Sequence, residues 1–391
     1  MSAAAQPLNL VGPGKRLKRR PELDALRGLM LVWMTLTHLP TIASVFTNQP
    51  LGFVSASEGF IFLSALFTGS VYYGLTEREG DAAMYRRLAK RTLRLYGYHL
   101  LLIAFAFLVA ARFASPDRRP GLYNLLDFYF AAGPKRAFLD AALLIYRPAL
   151  LDILPLYILF LAMSMVAFFL ARRFGWKLIL AVGFAVWLAA QFGFRQALYD
   201  FLCRGAGLRV PFSDLGAFDL WAWQFLWLLG LWCGTRWAEG RLPVEKWARR
   251  IAVPAMFAVP VLLAFRWMVG NGIELGNFEI MFDKWHLGAM RLVNFAAIAA
   301  LAIRFQRPLA RLAISPLVLL GRASIQVFCA HLFFCFLGLT IMGNRSMVSG
   351  WQQAVLIVLT LSALYITARL FSKSDAPPVR YNGHHDPTHS P

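Results

Sequence analysis

Charge is scarce in this chain: Asp, Glu, Lys and Arg make up only 15% of its 391 residues, and the mean hydropathy is +0.55. That excludes a soluble domain, which would need more polar surface to face water. Acid is scarcer still, with 20 Asp plus Glu against 40 Lys plus Arg and a formal net charge of +20. The excess does not mark a nucleic-acid binder, because the basic residues sit in short clusters between apolar stretches rather than in stripes on polar elements. Cysteine is nearly absent. Cys203, Cys233, Cys329 and Cys335 form no C-x-x-C, and three lie inside apolar segments, which excludes a disulfide framework and a zinc site and leaves small core-filling residues. No small-residue cleavage pattern follows the apolar segment behind "KRLKRR", so that segment is read as a retained helix. No internal repeat is found either, which argues against transporter folds built from duplicated halves.

What the chain has in quantity is apolar length: 59% of residues are hydrophobic and 15% aromatic. Ten stretches reach spanning length, at 24–46, 52–75, 93–113, 150–171, 177–194, 219–238, 250–269, 285–304, 314–341 and 351–371. We therefore expect an all-α polytopic membrane protein of about ten transmembrane helices. With both termini in the cytoplasm, 25 Lys plus Arg fall on the cytoplasmic side, 11 on the other and four inside spans, as the positive-inside rule asks. The expected parts are a basic cytoplasmic segment 1–22, a transmembrane domain 23–371 and a polar, Pro-rich tail 372–391 expected to be disordered. The tail carries His384, His385 and His389, for which no metal role is expected. The non-cytoplasmic segment 114–149 holds the turn-rich "SPDRRPG" and "AAGPKR", suited to short interfacial or re-entrant helices over a site.

Polar residues inside hydrocarbon are costly and point to function. Arg27 and His38 are eleven residues apart, about 1100° at 100° per residue, so they share one helix face about 16 Å apart along the axis. A permanent cation near the cytoplasmic rim and a titratable imidazole deeper in suit an anionic carrier whose reactive end reaches into the membrane. The bland alternative is that Arg27 snorkels and His38 bonds a neighbouring helix. Glu58, near the non-cytoplasmic end of the second span, stands at a depth from which it could orient a general base; Ser55 to Glu58 also reads as a capping box. Asp152 opens the fourth span with Tyr157 just behind it, Gln224 lies in the sixth among tryptophans, and Lys284 and Arg291 enter the eighth. At the other face Arg91, Arg94 and Arg322 join Arg27 around one mouth, and His331 lies nine residues beyond Arg322, near mid-membrane. The same Arg, His and Glu would also serve a proton-coupled transporter of an anionic solute.

Taken together these residues resemble the OpgC family, and more broadly the acyltransferase-3 superfamily of integral membrane O-acyltransferases. The resemblance runs from Pro21 to about Leu370. It is carried by the arginine, ten residues, histidine pattern of Arg27 and His38, by "SEGFIFLSALFTGSVYYG" with Glu58, by "DILPLYI" at Asp152 to Ile158, and by Gly321, Arg322, Ser324, Val327, Phe328 and His331. One departure is Ala65, where many relatives carry glycine, a packing change. The resemblance implies a bacterial inner-membrane enzyme, multi-pass in the bilayer. It would take a succinyl or acetyl group from cytoplasmic acyl-coenzyme A to a hydroxyl of a periplasmic glucan or another glycan, with no permanently bound cofactor. In that reading His38 is the general base, Glu58 or Asp152 orients it, and Gln224, Lys284 or His331 donates to the oxyanion. Arg27, Arg91, Arg94 and Arg322 hold the donor's phosphates, and Gln224, Lys284, Arg291 and Tyr157 contact substrate.

Overall fold

Pro40 decides the shape of the first helix. A residue before proline is pushed out of the helical region, and Leu39 is extended, with φ −68° and ψ 142°, so α1 runs only over Pro21–His38. The expected span 24–46 is therefore cut short, and a separate turn of helix follows at Ala43–Thr47. His38 becomes the last residue of α1 instead of lying within a longer helix. Pro21 fits the other end, where its missing N–H has no intrahelical partner to lose.

The computed structural model describes residues 20–242, 244–343 and 349–372, and every regular element among them is helical. The basic segment 1–22 and the tail 372–391 therefore lie, except for residues 20–22 and Ser372, outside the described residues. After α1 come α2 (Ala56–Glu79), α3 (Asp81–Leu108), α4 (Ile153–Phe174), α5 (Trp176–Gln191), α6 (Phe194–Ala206), α7 (Leu220–Ala238) and α8 (Val244–Gly270). The last four are α9 (Ala289–Arg304), α10 (Ser315–Arg322), α11 (Ser324–Met342) and α12 (Gly350–Ser372). Cys329 and Cys335 are buried in α11 as core residues.

Among the described residues, six helices are long and apolar enough to cross a bilayer: α2, α3, α4, α8, α11 and α12. Two bent pairs, α5 with α6 at 80° and α9 with the segment Gln306–Leu312 at 82°, raise the number to eight if each is one span. The chain is thus a multi-pass membrane protein. Of the ten expected segments, α1 and α7 fall short of the same apolarity, α1 through Glu22, Asp24 and Arg27 and α7 through Gln224, Arg236 and its tryptophans. Both are enclosed by other helices, α1 by α2, α10 and α11, and α7 by α2, α4 and α5. A helix lined by protein need not present an apolar surface all round. The expected span 314–341 is also broken, at Ala323 (φ −94°, ψ 32°), into α10 and α11.

Glycines set how close the central helices come. A Cβ on Gly28 would stand 2.0 Å from the Leu317 carbonyl oxygen, and one on Gly321 1.8 Å from that of Asp24, so α1 and α10 touch backbone to backbone. Gly69 and Gly234 do the same for α2 and α7. With lipid outside, such close packing of small residues is what holds helices together. Ala65 belongs to this seam, fully buried with its Cβ against Gly230, so its departure from glycine is a packing matter.

The segment after α3 does form short helices, Pro120–Leu125, Asp127–Ala132 and Pro134–Ala142. His99 and Tyr96 of α3 tie them down through the carbonyls of Ala141 (3.0 Å) and Ala142 (2.9 Å). The loop before α7 packs alongside: the Arg147 amide donates to the Asp214 carbonyl at 2.8 Å, and the Ala217 amide to Asp152 Oδ2 at 3.0 Å. Burial and the neighbouring Asp127 carboxyl push the Asp214 carboxyl up from the ordinary value of 3.8 to about 6. A carboxyl whose folded value is raised favours the folded state while protonated, so this contribution is full below about 4 and is lost as pH rises through about 6. Asp214→Asn should remove that fall: its thermal midpoint in detergent should exceed the wild-type one at pH 7, and the difference should vanish near pH 4.

Candidate active site

The end of the bundle where α1 begins collects arginines, and only some of them turn inward. Arg27 is buried, lies 4.8 Å over the Phe67 ring of α2 and donates to Ser324 Oγ at the start of α11. Arg91 reaches the next residue of α2 from α3, donating to Thr68 Oγ1 at 3.3 Å and to the Tyr157 hydroxyl at 3.2 Å. The two guanidiniums thus flank adjacent residues of one helix. Arg322 stays at the rim, half exposed and 3.9 Å from Asp24. Arg94, three residues beyond Arg91, points outward and is exposed.

At the far end of α1 stands the second group. The imidazole rings of His38 and His331 are stacked at 6.0 Å with an interplanar angle of 29°. His331 Nδ1 is 2.6 Å from the Phe328 carbonyl one turn back. Phe328 lies 5.1 Å from the His331 ring and stacks on Phe60 at 5.1 Å, while Tyr157 closes the same wall 6.3 Å from Phe60. Tyr157 therefore links the Arg91 guanidinium to the aromatic floor beneath the histidines. Both Arg27 and His38 contact residues of neighbouring helices.

Glu58 is placed differently from what its depth suggested. One carboxylate oxygen receives Arg291, with Nε at 2.9 Å and Nη2 closer. The other receives the Ser55 amide at 3.0 Å and the Ser55 hydroxyl at 2.5 Å, completing the capping box of α2. Glu58 is fully buried and Arg291 is 1% exposed, so this is an ion pair out of water with its lone pairs filled. No hydrogen bond joins Glu58 to His38 among the described residues. Lys284 stands beside the pair, its ammonium 4.9 Å over Trp285, and within electrostatic reach of Glu58, Asp152 and His38. Asp152 is spent on the Ala217 amide, and Gln224 on the Gly183 and Trp221 carbonyls at 2.7 and 3.1 Å, which ties α7 to α5.

The sequence offered no role for Ser324, Phe67 or Thr68, the partners of Arg27 and Arg91. Ser324 is legible in hindsight, since it sits inside the Gly321 to His331 motif whose other members touch α1 or its surroundings. Gly321 admits the α1 backbone, Ser324 receives Arg27 and His331 faces His38. Two surface recesses, of about 250 and 510 Å³, lie elsewhere and are not lined by Arg27 or His38.

A family model described as OpgC protein matches residues 19–376. The chain belongs to the OpgC family. No curated protein and no solved structure gives a significant match. The OpgC match spans α1 to α12, so both arginine and histidine groups fall within the family region.

Proposed function

We propose that this OpgC-family chain is an integral membrane O-acyltransferase of the bacterial inner membrane. It moves a succinyl or acetyl group from cytoplasmic acyl-coenzyme A to a hydroxyl of a periplasmic or cell-surface glycan. The observation that carries the reading is the placing of buried Arg27 and of His38 on the inward face of one helix, about 16 Å apart along it. Coenzyme A presents phosphates at one end and a thioester at the end of a slender arm. Arg27 and Arg91, with Arg322 at the rim, supply the charge-assisted donors that phosphates need. Both chain termini then face the cytoplasm, and α1 and α7 count as spans.

His38 takes the proton from the attacking hydroxyl as its oxygen bonds to the thioester carbonyl carbon. The tetrahedral oxyanion meets the Lys284 ammonium, which, unlike the Gln224 amide, donates to no carbonyl among the described residues. Collapse breaks the C–S bond and releases the coenzyme A thiolate toward the arginines. The test uses purified protein in vesicles with radiolabelled succinyl-coenzyme A and glucan extracted from the periplasm. Label should become covalently attached to the glucan with one thiol released per group transferred. Label that crosses the membrane as a small solute, driven by a pH gradient, would establish a transporter instead.

A further inference from the structure

His331 holds the one buried lone pair in the histidine group that the mechanism above leaves unused. Its Nδ1 faces the Phe328 carbonyl at 2.6 Å, and a carbonyl oxygen accepts only, so Nδ1 carries the hydrogen. In the neutral ring the lone pair is then on Nε2. That atom is buried without a hydrogen-bond partner among the described residues, in a residue 1% exposed. Buried polar atoms are normally paired, and those that are not point to a role outside simple packing. Phe328 and Phe60 fix the ring, whose stacked neighbour is His38. His38 itself has no hydrogen bond to a described residue, and the carboxylate expected to orient it is locked on Arg291.

We propose that His331 is the positioning residue of His38: its Nε2 accepts the N–H of the His38 imidazole in the reacting complex. Catalytic hydrogen bonds are often long before substrate binds and tighten in the complex. Accepting from one nitrogen of His38 leaves the other with its lone pair toward the acceptor hydroxyl. The hydroxyl proton moves to that nitrogen, the C–O bond forms and the C–S bond breaks. The imidazolium then returns the proton to the coenzyme A thiolate. Through all of this the second N–H of His38 stays donated to His331, which spreads the imidazolium charge and is never itself protonated. The assignment rests on the acyltransferase reading and adds the group that serves the base.

Two substitutions separate this from a merely structural histidine. His331→Asn keeps an N–H for the Phe328 carbonyl and removes the acceptor; His331→Gln places an acceptor oxygen near the Nε2 position and gives up the carbonyl bond. Measured with radiolabelled succinyl-coenzyme A and periplasmic glucan in nanodiscs, His331→Asn should lose roughly 100-fold in kcat with KM for the donor unchanged. His331→Gln should recover about tenfold of that loss. A structural role reverses the order, with Asn near wild type and Gln impaired, and that result overturns the proposal. Should His331→Asn not fold, His331→Met, apolar and of similar length, takes its place with the same expectation. Full activity of His331→Asn beside an inactive His38→Ala would sink the inference while leaving the acyltransferase reading intact. Absence of acyl transfer by the wild type would sink both.

Discussion

His38→Ala should abolish acyl transfer while leaving a folded protein in the membrane that still binds the donor. General-base assistance is typically worth about 10² to 10⁴ in rate, and the two carboxylates expected beside His38 are already hydrogen-bonded. Glu58 is saturated by Arg291 and Ser55, and Asp152 is held by the Ala217 amide. The substitution removes a ring at the very end of α1 whose recorded partner is the His331 ring, so the helix itself should persist. Donor affinity should survive because Arg27 and Arg91 lie at the other end of α1. The check is paired: transfer of radiolabelled succinyl to glucan, and titration of coenzyme A ester in nanodiscs. Wild-type transfer by the variant would reject His38 as the base. Loss of donor binding together with transfer would mean that His38 holds substrate and does not move a proton.

The second large effect concerns stability. Arg291→Met should lower folded stability by about 3–5 kcal/mol, because it strands the Glu58 carboxylate in the interior without its cation. Glu58→Leu should do comparable harm from the other side. Replacing both with apolar residues of similar volume should restore much of the loss, since a buried pair repays little more than its own desolvation. Thermal unfolding in detergent reads this directly. Activity per folded molecule then separates two roles for Glu58. If the carboxylate served only to pin α2 to α9, the double variant would regain transfer along with stability. If it oriented His38, the double variant would fold and stay inactive.

That ion pair also shows where sequence reading stops. The Arg27 to His38 spacing fixes a shared helix face from periodicity alone, and the Ser55 to Glu58 cap is a local pattern, so both were readable. The partner of Glu58 is 233 residues away, and periodicity gives a direction around a helix, never the residue that meets it. Arg91 and Arg94 occur in one basic cluster, yet three residues is five-sixths of a turn, enough to send one into the bundle and the other outward. Gln224 looked like a convergent polar group by depth, and its amide instead pays out both hydrogens to backbone carbonyls, because Gly183 lets the two helices close on it. Counting apolar length likewise overran Pro40 and the kink at Ala323, where single residues end a helix without changing its hydropathy.

The backbone contact between α1 and α10 has a mechanical outcome. Where carbonyl oxygens of one helix occupy the space of a missing side chain on the other, neither can slide, ratchet or roll without climbing over the obstruction. Arg27 adds a hydrogen bond to Ser324 just past the break at Ala323, which ties the start of α11 to the same contact. Under the proposed function, the flexible arm of the donor, and not a moving helix, is then what carries the reacting group inward.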